Sequence, residues 1–148
     1  MNHLAVFRNM NQAYTDLLQP LFQPYSCPSG VTIIQQGKPA DYLYFIISGK
    51  VEVSFKPYDG LPITVSHVGK DDLFGWSALV GSETYTSSVT AIEDLATLRI
   101  EGSQLRKLCL EHPEAGKEIL ERLANVVSAR WKNAHEQVTS ILVNGLTV

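Results

Sequence analysis

The 148-residue chain is 45% hydrophobic and 18% charged, a composition that supports one ordinary hydrophobic core and excludes disorder over most of its length. Twelve Lys and Arg against fifteen Asp and Glu give a formal net charge of −3, the wrong sign for a protein that binds duplex DNA through its phosphates. Because no apolar run approaches the roughly 20 residues that span a bilayer, and the N-terminus lacks the features of a signal peptide, we predict a cytoplasmic protein of one domain with no membrane span.

The first 27 residues predict a helical segment. Apolar side chains recur there at helical spacing, and two prolines limit how far a helix can extend. The apolar residues are Leu17, Leu18, Leu21 and Phe22, and the prolines are Pro20 and Pro24. We therefore predict a short amphipathic helix within residues 1–27.

Short strand-like runs follow over residues 28–101, and each is closed by a turn-forming residue. The predicted strands are 31–35, 42–47, 51–56, 63–68, 87–92 and 95–100. In the third run Val51, Val53 and Phe55 alternate with polar residues, so we expect these three to face the core. A repeat of about 8–12 residues per strand is typical of antiparallel sandwiches and jelly rolls. The predicted class is therefore mainly β with flanking helices, a double-stranded β-helix or jelly-roll β-roll.

Two helices are predicted over residues 103–144. Ser103 is the predicted N-cap of the first, and Pro113 begins the second, on which Arg122 beside Glu118 indicates a solvated face of mixed charge. The apolar stripe of the second helix outruns a small β-domain, so we predict a homodimer whose interface contains Val127, Trp131, Ala134, Val138 and Ile141. Two alternatives are that the stripe packs wholly onto its own domain, or that the helix end frays at residues 144–145.

Reactive residues show no catalytic or metal-binding pattern. Cys27 and Cys109 are interpreted as small packed side chains without a disulfide. The stretch around Ser77 lacks the second glycine of a nucleophile elbow. No two histidines stand at metal-ligand spacing among His3, His67, His112 and His135. We therefore predict neither an enzyme nor a metal site.

Three blocks of sequence carry the strongest functional signal. Residues 39–51 read Pro-Ala-Asp-Tyr-Leu-Tyr-Phe-Ile-Ile-Ser-Gly-Lys-Val, residues 72–79 read Asp-Leu-Phe-Gly-Trp-Ser-Ala-Leu, and residues 85–91 read Tyr-Thr-Ser-Ser-Val-Thr-Ala. In this order they resemble the cyclic-nucleotide-binding domain of bacterial transcription regulators and kinase regulatory subunits. The resemblance extends from about residue 7 to about residue 134, and it implies a helix, an eight-stranded roll and a long closing helix.

The resemblance also implies a ligand site around a glycine turn. In that family the backbone after the glycine presents N–H groups to a cyclic phosphate, a glutamate next to the glycine holds the ribose, and an arginine before the next strand pairs with the phosphate. Here Trp76 stands at the glutamate position and Tyr85 at the arginine position, whereas Thr86 keeps the hydroxyl that follows the arginine. The candidate ligand-binding residues are Phe74, Gly75, Trp76, Ser77, Ala78, Leu79, Tyr85, Thr86 and Ser87.

The two replacements argue against tight binding of cyclic AMP or cyclic GMP. Losing one member of a buried charged pair costs about 2–5 kcal/mol, which is roughly 1.5–3.5 decades of affinity. Two hypotheses remain. In one, the domain is a sensor whose site takes a weakly held cyclic nucleotide or a different, less charged small ligand between the two aromatic rings. In the other, Trp76 and Tyr85 fill the site themselves, and the domain is a ligandless dimeric module that binds an unknown protein partner.

The resemblance carries a further expectation. Transcription regulators of this family continue from the long helix into a winged helix-turn-helix, and this sequence stops at Val148. We therefore expect no DNA-binding domain, and we predict no cofactor beyond the small ligand of the sensor hypothesis.

Overall fold

The computed structural model describes residues 4–57 and 60–127. Within these ranges, eight strands form two four-stranded antiparallel sheets, and four helices flank them. The strands are β1 (Gln23–Cys27), β2 (Thr32–Ile34), β3 (Tyr42–Ser48), β4 (Val51–Phe55), β5 (Ile63–Val68), β6 (Leu73–Phe74), β7 (Ser88–Ala91) and β8 (Leu95–Glu101). The helices are α1 (Gln12–Leu18), α2 (Trp76–Leu79), α3 (Gly102–Glu111) and α4 (Pro113–Val127), with 3-10 turns at Ala5–Phe7 and Gln19–Leu21.

The order of strands is that of a jelly roll. One sheet has the order β1-β8-β3-β6 and the other β2-β7-β4-β5, so β7 and β8, which follow each other in the chain, lie in different sheets. The predicted class, a mainly β roll with flanking helices, is confirmed.

Strand β3 separates two apolar cores. Tyr44 and Ile46 face the space between the sheets, whereas Leu43 and Phe45 face the helices. Both faces of β3 are buried because helices α3 and α4 cover the outer side of its sheet. Its sequence is therefore a continuous apolar run rather than an alternating one.

The roll begins earlier than predicted. Residues 23–27, expected in the helical segment, form β1 and pair with β8 from Gln23–Arg99 to Cys27–Leu95. Pro24 is tolerated because β1 lies at the edge of its sheet, where a strand needs hydrogen bonds on one side only. The two-residue strand β6 was also missed.

The prediction that Phe55 faces the core was wrong. Val51 and Val53 are buried, but Phe55 is 42% exposed. A register shift interrupts the β4–β5 ladder between Val53 and Ser54, and Phe55 then pairs with the exposed Ile63. Alternation alone does not show where a strand extends past the core.

The start of α3 was also mispredicted. Its N-cap position is occupied by Glu101, which makes no side-chain capping bond, and Ser103 lies inside the helix. The first residue of the helix is Gly102, where a Cβ would collide with the Ala78 carbonyl oxygen of α2, so a residue with a side chain does not fit. Close packing between two helices therefore accounts for the glycine at the start of this helix, and no capping side chain is involved.

Helix α4 packs its apolar face into the helix-side core. Val127, predicted as an interface residue, has 0% exposure and belongs to this core, so it is not available to a partner chain. The other predicted interface residues, Trp131, Ala134, Val138 and Ile141, lie outside the described residues.

The side chain of Arg122 is not a purely solvated charge. It pairs with Glu118 and also donates to the backbone carbonyls of Val6, at 3.0 Å, and Arg8, at 2.8 Å. The N-terminal turn is thereby attached to α4. No helix in the described ranges combines the length and hydrophobicity that a membrane crossing requires.

Candidate ligand site between helix α2 and strand β7

Gly75 forms the turn between β6 and α2 and has φ +86°, in the left-handed region that favours glycine. A Cβ at this position would lie 2.6 Å from the backbone oxygen of Tyr42 and 3.3 Å from Cδ1 of Ile34. The expected glycine turn is therefore present. The close backbone approach that it allows is to the carbonyl of β3.

A small cavity lies beside this turn. Its volume is about 90 Å³, well below the roughly 300–1,000 Å³ typical of small-molecule sites. Seven of the nine predicted ligand residues line it, and Ala78 and Leu79 instead lie in the two cores. The lining consists of Ile34, Val53, Phe74, Gly75, Trp76, Ser77, Val80, Ser82, Tyr85, Thr86, Ser87 and Val89.

Hydroxyl groups supply the polar side chains of the cavity. The hydroxyls of Ser77 and Thr86 lie 3.4 Å apart, and Ser82 and Ser87 add two more to the lining. Among the described residues that line the cavity there is no Arg, Lys, Asp or Glu. A phosphate bound here would therefore meet hydroxyl groups but no paired cation from this lining.

The hydroxyl of Tyr85 makes two hydrogen bonds to the backbone at the start of β3. Its hydroxyl accepts from the Tyr42 N–H at 2.9 Å and donates to the Tyr42 carbonyl at 2.6 Å. Its backbone is also paired, since its N–H donates to Lys38 and its carbonyl accepts from Gly37, both at 2.9 Å. Burial raises the pKa of Tyr85 to about 12, so the hydroxyl is neutral at physiological pH.

Trp76 is buried in a different core from Tyr85. Trp76 is 4% exposed and belongs to the helix-side cluster, whereas Tyr85 is 8% exposed and belongs to the cluster between the sheets. Both residues line the cavity from opposite cores. Each side chain therefore contributes to packing of the protomer itself.

The expected anion cradle is only partly available. The N–H of Ala78, predicted to face a ligand, donates to the Gly75 carbonyl at 3.0 Å. At the other end of α2, the Arg106 guanidinium donates to the carbonyl of Ala78 and, at 3.4 Å, to that of Leu79. The short helix is thus fixed to α3 through Arg106.

Sequence reasoning missed the apolar wall of the cavity and the partner of Tyr85. Ile34, Val53 and Val89 come from three strands of one sheet, and Tyr42 comes from the opposite sheet. Alternation in β4 indicated that Val53 points inward, but no local pattern indicated that the hydroxyl of Tyr85 reaches the start of β3.

The described ranges contain no group of residues suited to a metal ion, and the thiol of Cys109 is not activated. No group of three or more His, Cys, Asp or Glu side chains there could hold a metal ion. Cys27 and Cys109 are both free. Burial raises the pKa of the Cys109 thiol to about 12, which makes it a poor nucleophile.

The family model of the cyclic nucleotide-binding domain matches residues 25–112, well over half of the chain. This chain belongs to the cyclic nucleotide-binding domain family. The match begins within β1 and includes strands β2 to β8, the glycine turn, the cavity and helix α3. The family resemblance found in the three sequence blocks is thereby confirmed.

Two relatives of this domain are a transcriptional regulator and a kinase regulatory subunit. A CRP-like cAMP-activated global transcriptional regulator of Mycobacterium tuberculosis is 30% identical over 120 residues, which cover 81% of this chain and 54% of the relative. A cAMP-dependent protein kinase regulatory subunit of Dictyostelium discoideum is 26% identical, over 74% of this chain and 34% of that protein. The chain thus spans about half the length, or less, of these relatives.

Solved cyclic nucleotide-binding domains share the fold. A putative cyclic nucleotide-binding protein from Geobacter metallireducens is 26% identical with a TM-score of 0.73, covering 86% of this chain and 92% of its own. The catabolite activator protein of Thermus thermophilus is 25% identical with a TM-score of 0.70, covering 90% of this chain and 61% of its own. At 19% identity, the regulatory subunit of a cAMP-independent protein kinase A from Trypanosoma brucei shares the fold, with a TM-score of 0.68 over 82% of this chain and 43% of its own.

Proposed function

We propose that this domain is a regulatory module that does not depend on tight binding of cyclic AMP or cyclic GMP. The observation that carries the proposal is the pair of hydrogen bonds from the Tyr85 hydroxyl to the backbone of Tyr42. The residue at the position of the family's phosphate-binding arginine thereby joins the segment before β7 to the start of β3.

The cavity supports the same proposal. It has about 90 Å³ of space and no charged residue in its described lining. The fold alone does not decide the ligand, because it occurs both in cAMP-activated regulators and in a cAMP-independent kinase subunit.

Calorimetric titration with cyclic AMP and cyclic GMP tests the proposal. We expect no binding at low micromolar concentration, and a dissociation constant in that range for either nucleotide would overturn it. The double variant Trp76→Glu/Tyr85→Arg restores both charges, so we expect its affinity for cyclic AMP to rise by at least tenfold. Tyr85→Arg alone is the intermediate, and circular dichroism checks that each variant is folded.

A second candidate function keeps the cavity as a sensor site for a small uncharged ligand. The hydroxyls of Ser77 and Thr86 favour it, because they line a cavity whose other walls are mostly apolar. A thermal-shift screen of small neutral compounds separates the two, since a ligand at 100 times its dissociation constant adds about 2.7 kcal/mol to the free energy of unfolding. Thr86→Val should abolish any such shift.

The proposal includes a homodimer through the C-terminal helix. It is supported by the length of the apolar stripe, which continues through Trp131, Ala134, Val138 and Ile141. Sedimentation equilibrium should give twice the mass of the 16.4 kDa chain, and Trp131→Glu/Val138→Glu should give a monomer. A monomeric native chain would refute this part.

A cytoplasmic location and a non-enzymatic role also belong to the proposal. Free Cys27 and Cys109 support the location, because disulfides are rare in reducing compartments. The regulatory relatives support the role.

A further inference from the structure

A second concave region lies on the other side of Tyr85 from the cavity. It is an open groove of about 740 Å³ between the two sheets. Its lining and that of the cavity share Ile34 and Tyr85, so Tyr85 forms a wall between them. The rest of the groove is lined by Thr32, Ile33, Gln35, Lys38, Pro39, Asp41, Tyr42, Tyr44, Ser88, Thr90 and Arg99.

In this groove the guanidinium of Arg99 lies between two tyrosine rings. It lies on β8 opposite Tyr44 of β3 and is half-buried. Its guanidinium carbon is 4.1 Å from the centroid of the Tyr42 ring and 5.1 Å from that of Tyr25. Two aromatic faces therefore hold the cation in a fixed position.

The charge of Arg99 is not neutralised within the described ranges. The ion pairs there are Glu52–His67 and Glu118–Arg122, neither of which involves Arg99. Its Nε is buried and has no hydrogen-bond partner, whereas the Tyr44 side chain hydrogen-bonds to the guanidinium. A buried donor such as this Nε–H ordinarily has a partner, because leaving it without one costs free energy.

The surrounding charges favour an anionic ligand. Lys38 and Arg99 carry two positive charges and Asp41 one negative charge, which gives the lining a net charge of +1. The cavity lining, in contrast, carries no charged side chain. Of the two concave regions, the groove is therefore the one that suits an anion.

We propose that this groove is a ligand site in which Arg99 binds the carboxylate or phosphate group of a small molecule. The guanidinium presents donors in a planar fork that matches such oxyanions. Tyr42 and Tyr25 hold the fork in place before the ligand arrives, which lowers the entropic cost of binding. The site is separate from the one inherited with the family.

Nuclear magnetic resonance of the arginine Nε–Hε groups tests the proposal directly. Acetate and inorganic phosphate are titrated separately at constant ionic strength, with chloride as the reference anion. We expect a saturable shift of the Arg99 signal with at least one of the two probes, and the one that binds more tightly identifies carboxylate or phosphate as the preferred group. No saturable shift with either probe would overturn the proposal.

Substitutions of Arg99 test whether its side chain binds the probe anion. Arg99→Gln should weaken binding of the probe at least tenfold, and Arg99→Lys should weaken it less because it keeps the charge without the fork. Lys117→Met is the matched control, since it removes one exposed positive charge from α4, outside the groove lining. Equal weakening in the control and in Arg99→Gln, or unchanged binding in Arg99→Gln, would refute the site. If Arg99→Gln does not fold, the affinity of Arg99→Lys for the probe and the saturable shift of the Arg99 signal in the native protein still test the proposal.

Discussion

The hydroxyl of Tyr85 lies between the N–H and the carbonyl of Tyr42, accepting from one at 2.9 Å and donating to the other at 2.6 Å. This contact joins the segment before β7 to the first residue of β3, across 43 residues of sequence. It places an aromatic side chain with a satisfied hydroxyl where the family resemblance implies a cation. The local chemistry of the site is therefore that of the protein core.

Tyr85→Phe should destabilise the chain by about 1–3 kcal/mol, because it keeps the ring but leaves two backbone groups of Tyr42 without their partner. Urea unfolding followed by circular dichroism measures the change. Tyr14→Phe is the control, since the Tyr14 hydroxyl has no hydrogen bond within the described residues. Equal effects of the two substitutions would contradict the role given to Tyr85.

Alkaline pH should weaken the native state through the same hydroxyl. Burial raises the pKa of Tyr85 to about 12 from the ordinary value of 10.0, so the folded chain holds this proton more tightly than the unfolded chain. The resulting contribution to stability is fully present below pH 10 and is lost as the pH rises towards 12. The free energy of unfolding, measured at several pH values, should fall less steeply over this window in Tyr85→Phe. If the free energies of unfolding of the native protein and of Tyr85→Phe fall in parallel with pH, this role of the Tyr85 hydroxyl is wrong.

Gly75→Ala should be more harmful than Gly37→Ala. Both glycines have φ near +87°, at +86° and +88°, and an alanine there costs about 1–2 kcal/mol in backbone strain. At Gly37 no heavy atom lies within 4 Å of the added Cβ, whereas at Gly75 the Tyr42 oxygen lies 2.6 Å away. Overpacking of this kind adds about 1–3 kcal/mol. The difference in unfolding free energy between the two variants measures the cost of the clash with the Tyr42 oxygen. A difference near zero would contradict this clash.

One thiol of the native chain should react and the other should not. Cys109 is buried and burial raises its pKa to about 12, whereas Cys27 is half-buried. Burial also raises the pKa of Cys27, so its reaction should be slow at neutral pH. Mass spectrometry after treatment with iodoacetamide should show one label in buffer and two in urea. Labelling of Cys109 in the native state would contradict its buried position.

Arg122→Met should detach the N-terminal turn from α4. The substitution keeps an apolar stem but removes the donors to the carbonyls of Val6 and Arg8, with an expected cost of about 1–2 kcal/mol. Glu118→Gln is the matched control, because it removes the exposed ion pair alone and should cost less than about 0.5 kcal/mol. Hydrogen exchange at residues 5–8 should accelerate in the first variant. Similar behaviour of both variants would show that the ion pair is what matters.

Several elements were predictable because their signals are local. Strand β5 has the predicted bounds of 63–68, and α4 begins at the predicted Pro113. Where prediction failed, a distant contact was responsible. β1 is a strand because β8 pairs with it at the sheet edge, and the first residue of α3 is a glycine because the Ala78 carbonyl lies against it.

In the candidate site, too, local features were predictable from the sequence and distant contacts were not. The glycine turn and the two replaced residues are visible in the order of amino acids, because the motif is contiguous and its residue types are distinctive. That Tyr85 bonds to Tyr42, and that Arg99 lies between Tyr25 and Tyr42 without a carboxylate partner in the described residues, follows from strand pairing. Residue types and their spacing therefore indicate the family and the turn. The partners of each polar side chain depend on which strands the folded chain brings together, because hydrogen bonds and ring contacts act only over a few ångströms.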